Sequence, residues 1–256
     1  MDVPWSAQDA SRFELALRDS RAESYDAEYV ALHGPWFTQL ETAVLLDNLD
    51  LQSSDVLLDV GCGTGRITTL LATRCERVIA VDRSPQSLRV LESRIQERGL
   101  HNVTTVLADA SQSLPPDIRA TKCISVQLFQ HVPGFEARAN AMKNIAQVLE
   151  PDARLVVANE MYGLSRRIRG APQEFDGPGI LFFHTFTPGE LIDLVHLAGL
   201  IPLRVRGCGT LYWTRYAGAP QVLVNLDRLA SRLPGTSWFA KFGAIVAAKP
   251  RKIATD

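Results

Sequence analysis

Short apolar runs recur along the chain at the spacing of an α/β protein. Val56-Leu57-Leu58, Val78-Ile79-Ala80-Val81 and Leu155-Val156-Val157-Ala158 are continuous apolar stretches, the pattern of strands buried on both faces. Residues 103–108, 123–128, 202–206 and 244–248 read as four further strands. Helical patterns alternate with them. Leu88, Leu91 and Ile95 form the apolar stripe of a helix that Ser84-Pro85 starts and Gly99 ends. Met142, Ile145 and Val148 mark a helix over 136–149. Thr187-Pro188-Gly189-Glu190 is a capping box with proline at the first helical position, opening a helix through Leu191, Leu194 and Val195. Ahead of the first strand, residues 1–50 read as helices. Phe13, Leu15, Ala16 and Leu17 make an apolar patch, Tyr25 and Tyr29 share a face, and Leu40, Val44 and Leu45 fit a second helix ending near Asn48. Two stretches lack this order. Residues 161–185 read as an irregular loop at the strand ends, and 208–240 as an insertion, aromatic early (Tyr212, Trp213, Tyr216) and helical later.

The stretch 55–66, D-V-L-L-D-V-G-C-G-T-G-R, turns a strand into a helix on Gly61, Gly63 and Gly65. Glycines permit backbone angles and close approaches that a Cβ forbids, and the helix start beyond them offers unpaired N–H groups and positive dipole. The dinucleotide fingerprint requires a third glycine where Arg66 stands, and no Gly-Lys-Ser/Thr tripeptide follows Gly61. Asp59 beside the loop disfavours a pyrophosphate and suits a ligand with a charged amino group. Asp82, ending the second strand, is placed to accept both hydroxyls of a ribose. That role serves NAD as well as other nucleosides. Arg83 reads as a solvated loop cation, or as a contact to the same ligand.

Residues 55–66 resemble the first motif of the class I S-adenosylmethionine-dependent methyltransferases. The resemblance is close over 55–160 and looser elsewhere. It implies an α/β, Rossmann-like, seven-stranded and mostly parallel sheet with helices on both faces and the last strand antiparallel. It also implies an N-terminal helical lid over 1–50 and a methyltransferase domain over 51–256 with substrate-cap segments at 161–185 and 208–240. The cofactor implied is S-adenosyl-L-methionine, with Asp59, Gly61, Gly63, Gly65, Asp82, Arg83 and Gln127 around it. Asp109-Ala110 would read the adenine, although Asp109 also fits as a cap on the turn at Ser111. Tyr25 would close over the site from the lid. The chain departs from the family at Lys122-Cys123, where an acid is usual, and at Gln130, where many relatives carry an acid beside the histidine. No metal site is expected.

Composition narrows the partners. Formal net charge is −1, so no basic field attracts nucleic acid. An Asn/Asp-Pro-Pro-aromatic sequence, associated with methylating bases, is absent from the chain. Four scattered cysteines without a C-x-x-C pair argue against zinc or a disulfide framework and fit a reducing cytoplasm. No apolar run approaches the ~18 residues of a membrane span. A small, partly apolar and ring-containing acceptor is expected, methylated on oxygen or carbon, as in quinone or secondary-metabolite chemistry. Methyl transfer from a sulfonium needs a base only where the acceptor must lose a proton. His131 and His184 are the candidate bases, with Glu160 and Tyr162 behind them. A non-catalytic S-adenosylmethionine-binding protein and an NAD-dependent oxidoreductase are the alternatives.

Overall fold

A computed structural model describes residues 5–210 and 221–251. The first 49 residues hold three helices, α1 (Ala7–Arg21), α2 (Tyr25–His33) and α3 (Pro35–Leu49). They exceed the expected two because Ser6 and Asp9 form a capping box that starts α1 well before the aromatic stretch. Gly34, at φ 80°, ends α2, and Pro35 begins α3 at its first turn. The rest alternates strand and helix: β1 (Val56–Val60), α4 (Thr68–Leu71), β2 (Arg77–Asp82), α5 (Pro85–Glu97), β3 (Val103–Leu107), β4 (Ala120–Val126), α6 (Phe135–Val148) and β5 (Leu149–Glu160). Then come α7 (Leu164–Ile168), β6 (Glu174–Phe175), β7 (Phe183–His184), α8 (Pro188–Leu197), β8 (Ile201–Cys208), α9 (Gln221–Ala230) and β9 (Phe242–Ala248).

Seven strands form one sheet in the order β3-β2-β1-β4-β5-β9-β8. β1 pairs parallel with both β2 and β4, and β9 runs antiparallel between β5 and β8, as expected. Period-two alternation assigns the two faces. Leu58, Val60, Ile79, Cys123, Leu155 and Val157 pack under α6 and α8, while Leu57, Val78, Ile124, Val156 and Val246 pack under α3 and α4. The order of strand addition switches from one side of β1 to the other at β4, which opens a crevice at the carboxyl ends of these two parallel strands.

Three local expectations are corrected. β4 ends at Val126, so Gln127 leaves the sheet, with φ 58°. β5 begins at Leu149, and Pro151-Asp152 is an irregularity in its pairing rather than a turn before it, with Asp152 at φ 63°. The irregular loop over 161–185 contains α7 and the β6–β7 hairpin. In the insertion, α9 packs onto α3 through Val224 and the Arg228–Asp47 pair at 2.6 Å. Tyr212, Trp213 and Tyr216 lie outside the described residues.

Candidate functional site

The glycine loop closes back on the sheet through one carboxylate. Gly63 N–H donates to Asp82 Oδ2 at 2.8 Å, and Ser84 N–H donates to Asp82 Oδ1 at 2.8 Å. Burial raises the Asp82 pKa against these two bonds. Asp59 is buried beneath the loop and accepts from Thr68 Oγ1 at 2.6 Å. Burial pushes its carboxyl up to about 7, with the nearby Asp82 charge adding to the rise. The three glycines have different reasons. A Cβ on Gly65 would sit 2.2 Å from Leu91 Cδ1, and one on Gly61 would sit 2.8 Å from Leu128 Cβ. A Cβ on Gly63 would meet nothing within 4 Å; its side faces open space.

These elements line a cavity of about 400 Å³ at the switch point. Asp59, Gly61, Gly63, Asp82, Arg83, Asp109, Ala110, Gln127, Tyr25 and His131 all reach it. Gly65 does not; it is committed to packing against α5. Asp109 does cap its turn, accepting from Ser111 N at 2.9 Å and Ser111 Oγ at 2.7 Å, while still lining the cavity. Arg83 is no solvated loop cation. It donates to Ser11 Oγ at 2.7 Å, to Ser11 O at 2.9 Å and to Glu14, tying α1 to the sheet. Ser84 Oγ adds a bond to Asp19 at 2.6 Å. α2 is held likewise, because Asp26 accepts from Thr64 Oγ1 at 2.7 Å and Arg94 at 2.6 Å.

Sequence reasoning missed Glu14, Arg18, Glu41 and Arg66 as parts of this site. Glu14 and Arg18 are four apart on α1 and pair at 2.8 Å, a spacing visible in the sequence. Glu41 accepts from Arg66 at 2.8 Å, from Gln127 at 2.9 Å and from Tyr29 at 3.2 Å. The Arg66 guanidinium also lies over the Tyr29 ring, 4.2 Å from its centroid. No local pattern announces that network, since its members come from four separate elements.

A second cavity of about 280 Å³ adjoins the first. Arg18, Tyr25, Gln127 and His131 line both. Leu17, Tyr29, Leu181 and Phe183 give the second an apolar and aromatic wall, and Glu160 and Lys241 lie in its polar part. The expected 208–240 segment contributes no lining residue among those described, because α9 is drawn onto α3 instead. Phe182 is buried, and its backbone carbonyl faces His131 Nδ1 at 3.1 Å. The other ring nitrogen, Nε2, is 3.3 Å from the Gln130 side-chain amide. Burial, reinforced by the Arg18 charge, pulls the His131 pKa down to about 3, so the ring is neutral at pH 7.

His184 lies elsewhere. It reaches neither cavity, and it sits between Glu174 at 2.9 Å and Glu190 at 3.3 Å. Burial alone would raise the Glu190 pKa, yet its bonds to His184 and Thr187 bring it down to about 2. The capping-box glutamate of α8 thereby grips the β6–β7 hairpin, which explains the position of His184 without any role in chemistry. Tyr162 is also remote; its hydroxyl donates to Ala171 O at 2.8 Å. Among the described residues no cluster of metal-ligating side chains occurs, and no helix is long and apolar enough to cross a membrane.

A glycine turn and two strand-end carboxylates at the switch point of a parallel sheet define a nucleoside-binding Rossmann-like protein. The residues present suit a cationic nucleoside. Asp59 is a buried carboxylate whose hydrogen bond comes from the neutral Thr68 hydroxyl, and the open side of Gly63 leaves room for close approach.

Comparison with known proteins agrees. A methyltransferase domain model matches residues 57–152. The chain is 28% identical over 185 residues to the 2-heptyl-1-hydroxyquinolin-4(1H)-one methyltransferase of Mycobacteroides abscessus, covering 70% of this chain and 75% of that one. It is 47% identical over 68 residues to a probable cobalt-precorrin-6B C(15)-methyltransferase of Methanothermobacter thermautotrophicus, covering 25% of this chain and only 35% of that protein. The DhpI–S-adenosylhomocysteine complex superimposes with a TM-score of 0.64 at 18% identity, over 94% of this chain and 98% of the other. Residues 57–152 thus match a methyltransferase domain, and the chain shares its fold with a protein solved with S-adenosylhomocysteine.

Proposed function

We propose that the protein methylates a small, partly apolar, ring-bearing acceptor held in the second cavity. The observation that carries this reading is the junction of the two cavities at Arg18, Tyr25, Gln127 and His131. S-adenosylmethionine supplies a methyl group already activated on a sulfonium. In the first cavity Asp82 would accept from the ribose hydroxyls, and Asp109 with Ala110 would hold the adenine. Asp59 would face the ammonium, and Gln127 would orient the methionine chain. Residues 1–50 act as the lid: α1 and α2 cover the first cavity through Arg83, Ser84 and Arg94 and exclude water from it. His131 is neutral and bonded at both ring nitrogens, so its part is to position the acceptor rather than to take its proton.

The acceptor class is supported by the aromatic wall of the second cavity and by the quinolone substrate that the Mycobacteroides relative's name records. Formation of S-adenosylhomocysteine, followed with a panel of hydroxylated quinolones, naphthols and quinols, tests it. Turnover with at least one ring-bearing acceptor is expected. Tight cofactor binding with no turnover on any of them would leave the chain an S-adenosylmethionine-binding protein without this activity.

A further inference from the structure

Gln127 stands at the junction of the two cavities with one end of its side chain already committed. Its amide nitrogen donates to Tyr29 Oη at 2.7 Å and to Glu41 Oε1 at 2.9 Å. Its backbone is fixed as well, at φ 58° with Gln127 N–H donating to Ala158 O at 2.7 Å. Among the described residues its side-chain oxygen has no donor, although Gln127 lines both cavities. Glu41 decides this orientation. It is buried on α3, and a carboxylate only accepts, so it meets the nitrogen end of the amide and never the oxygen end. The carboxylate is itself pinned. Its second oxygen, Oε2, accepts from Arg66 Nη2 at 2.8 Å and from Tyr29 Oη at 3.2 Å. Arg66 also balances its charge, so Glu41 gives the junction direction rather than net charge.

Resting on the cofactor placement proposed above, we infer that Glu41 is a positioning residue: it aims the Gln127 side-chain oxygen at the sulfur end of the cofactor, and that oxygen makes the site favour the sulfonium donor over its thioether product. Asp82 and Asp109 hold the nucleoside in the first cavity, and the methyl group must point into the second. The sulfur then lies at the junction, where Gln127 stands. A sulfonium carries a positive charge and polarised methyl hydrogens, and S-adenosylhomocysteine carries neither. A carbonyl dipole with its negative end towards the sulfur therefore stabilises the donor, the more so as water is excluded. It also lets the product go once the methyl group and the positive charge have left the sulfur. α3, which touches neither cavity with Glu41 itself, thus acts on the reacting end of the cofactor through one amide.

Titration calorimetry with S-adenosylmethionine and with S-adenosylhomocysteine tests this through the ratio of the two affinities. A merely structural loss weakens both ligands alike and leaves the ratio unmoved. Glu41→Gln supplies a side chain that donates as well as accepts, which frees the Gln127 amide to turn over. It is expected to shift the ratio towards S-adenosylhomocysteine by about fivefold or more. Gln127→Met keeps the length of the side chain, removes its oxygen and should give the same shift. In the double variant Glu41→Gln should add nothing to Gln127→Met, since its effect runs through that amide. Tyr29→Phe leaves the contact between Glu41 and Gln127 and should keep the wild-type ratio. An unmoved ratio in Glu41→Gln overturns the inference, as do additive shifts in the double variant or an equal shift in Tyr29→Phe. An unmoved ratio in Gln127→Met overturns it whether or not Glu41→Gln folds. If the wild type binds neither ligand, the functional reading fails and this inference with it; an unmoved ratio with both ligands bound fails only the inference.

Discussion

At the scale of single residues, three glycines of one motif carry three different duties. Gly65→Ala meets Leu91 at 2.2 Å and keeps φ at 79°, so it combines overpacking with a left-handed backbone. About 2–4 kcal/mol of stability should be lost, by the sum of those two costs. Gly63→Ala meets nothing and carries only the backbone cost, about 1–2 kcal/mol, yet it fills the cavity and should weaken S-adenosylhomocysteine binding. Urea unfolding and titration calorimetry on the two variants separate the duties; equal stability losses would refute the assignment. Asp59 has its own signature. Its carboxyl is raised to about 7 by burial, and an ammonium docked beside it favours the carboxylate. The complex then holds fewer protons than the free protein, so affinity should rise as pH climbs towards about 7 and level off above. Calorimetry in buffers of different ionisation enthalpy should record proton release near pH 6; proton uptake would contradict it.

At the scale of elements, α1 is held by a few polar ties rather than by its own apolar face. Only Ala10 and Glu14 of its side chains are buried. The Arg83 guanidinium reaches Ser11 and Glu14, so Arg83→Ala should release this helix selectively. Amide exchange over 7–21 should accelerate while the strands keep their protection, and the loss should amount to about 1–3 kcal/mol locally. Unchanged exchange there would show that α1 is anchored otherwise. The sequence made the helices legible through caps and periodicity, which are local. It did not reveal that Arg83 and Glu14 meet, since they are 69 positions apart and neither sits in a motif that names its partner. The β6–β7 hairpin was missed for a related reason: each strand has only two residues, too few for any period to register.

At the scale of the whole molecule, the strand order places the glycine loop, both strand-end acids and Gln127 at one edge. Long apolar runs and a spaced glycine motif made this half of the site readable, because each element states its own role locally. The acceptor side resisted. Its wall is assembled from α1, α2, the turn after β4, residues 181 and 183, and Lys241 before β9, and only the folded sheet brings these together. The histidines illustrate the limit. One lies at the junction of the cavities, whereas the other braces a hairpin against α8. His184→Ala should therefore lower thermal stability while leaving turnover per folded molecule unchanged; a selective loss of turnover would return it to the chemistry.

The crevice between β1 and β4 is expected to hold S-adenosylmethionine on Asp82 and the glycine loop. Titration calorimetry of S-adenosylhomocysteine into the wild type and Asp82→Ala measures it directly, with NADH as the competing ligand. Saturable one-site binding is expected for the wild type, with affinity falling about tenfold or more in Asp82→Ala, the cost of at least one hydrogen bond to a charged group, and no binding of NADH. Binding of NADH in preference to S-adenosylhomocysteine, or an affinity indifferent to Asp82, would contradict the account.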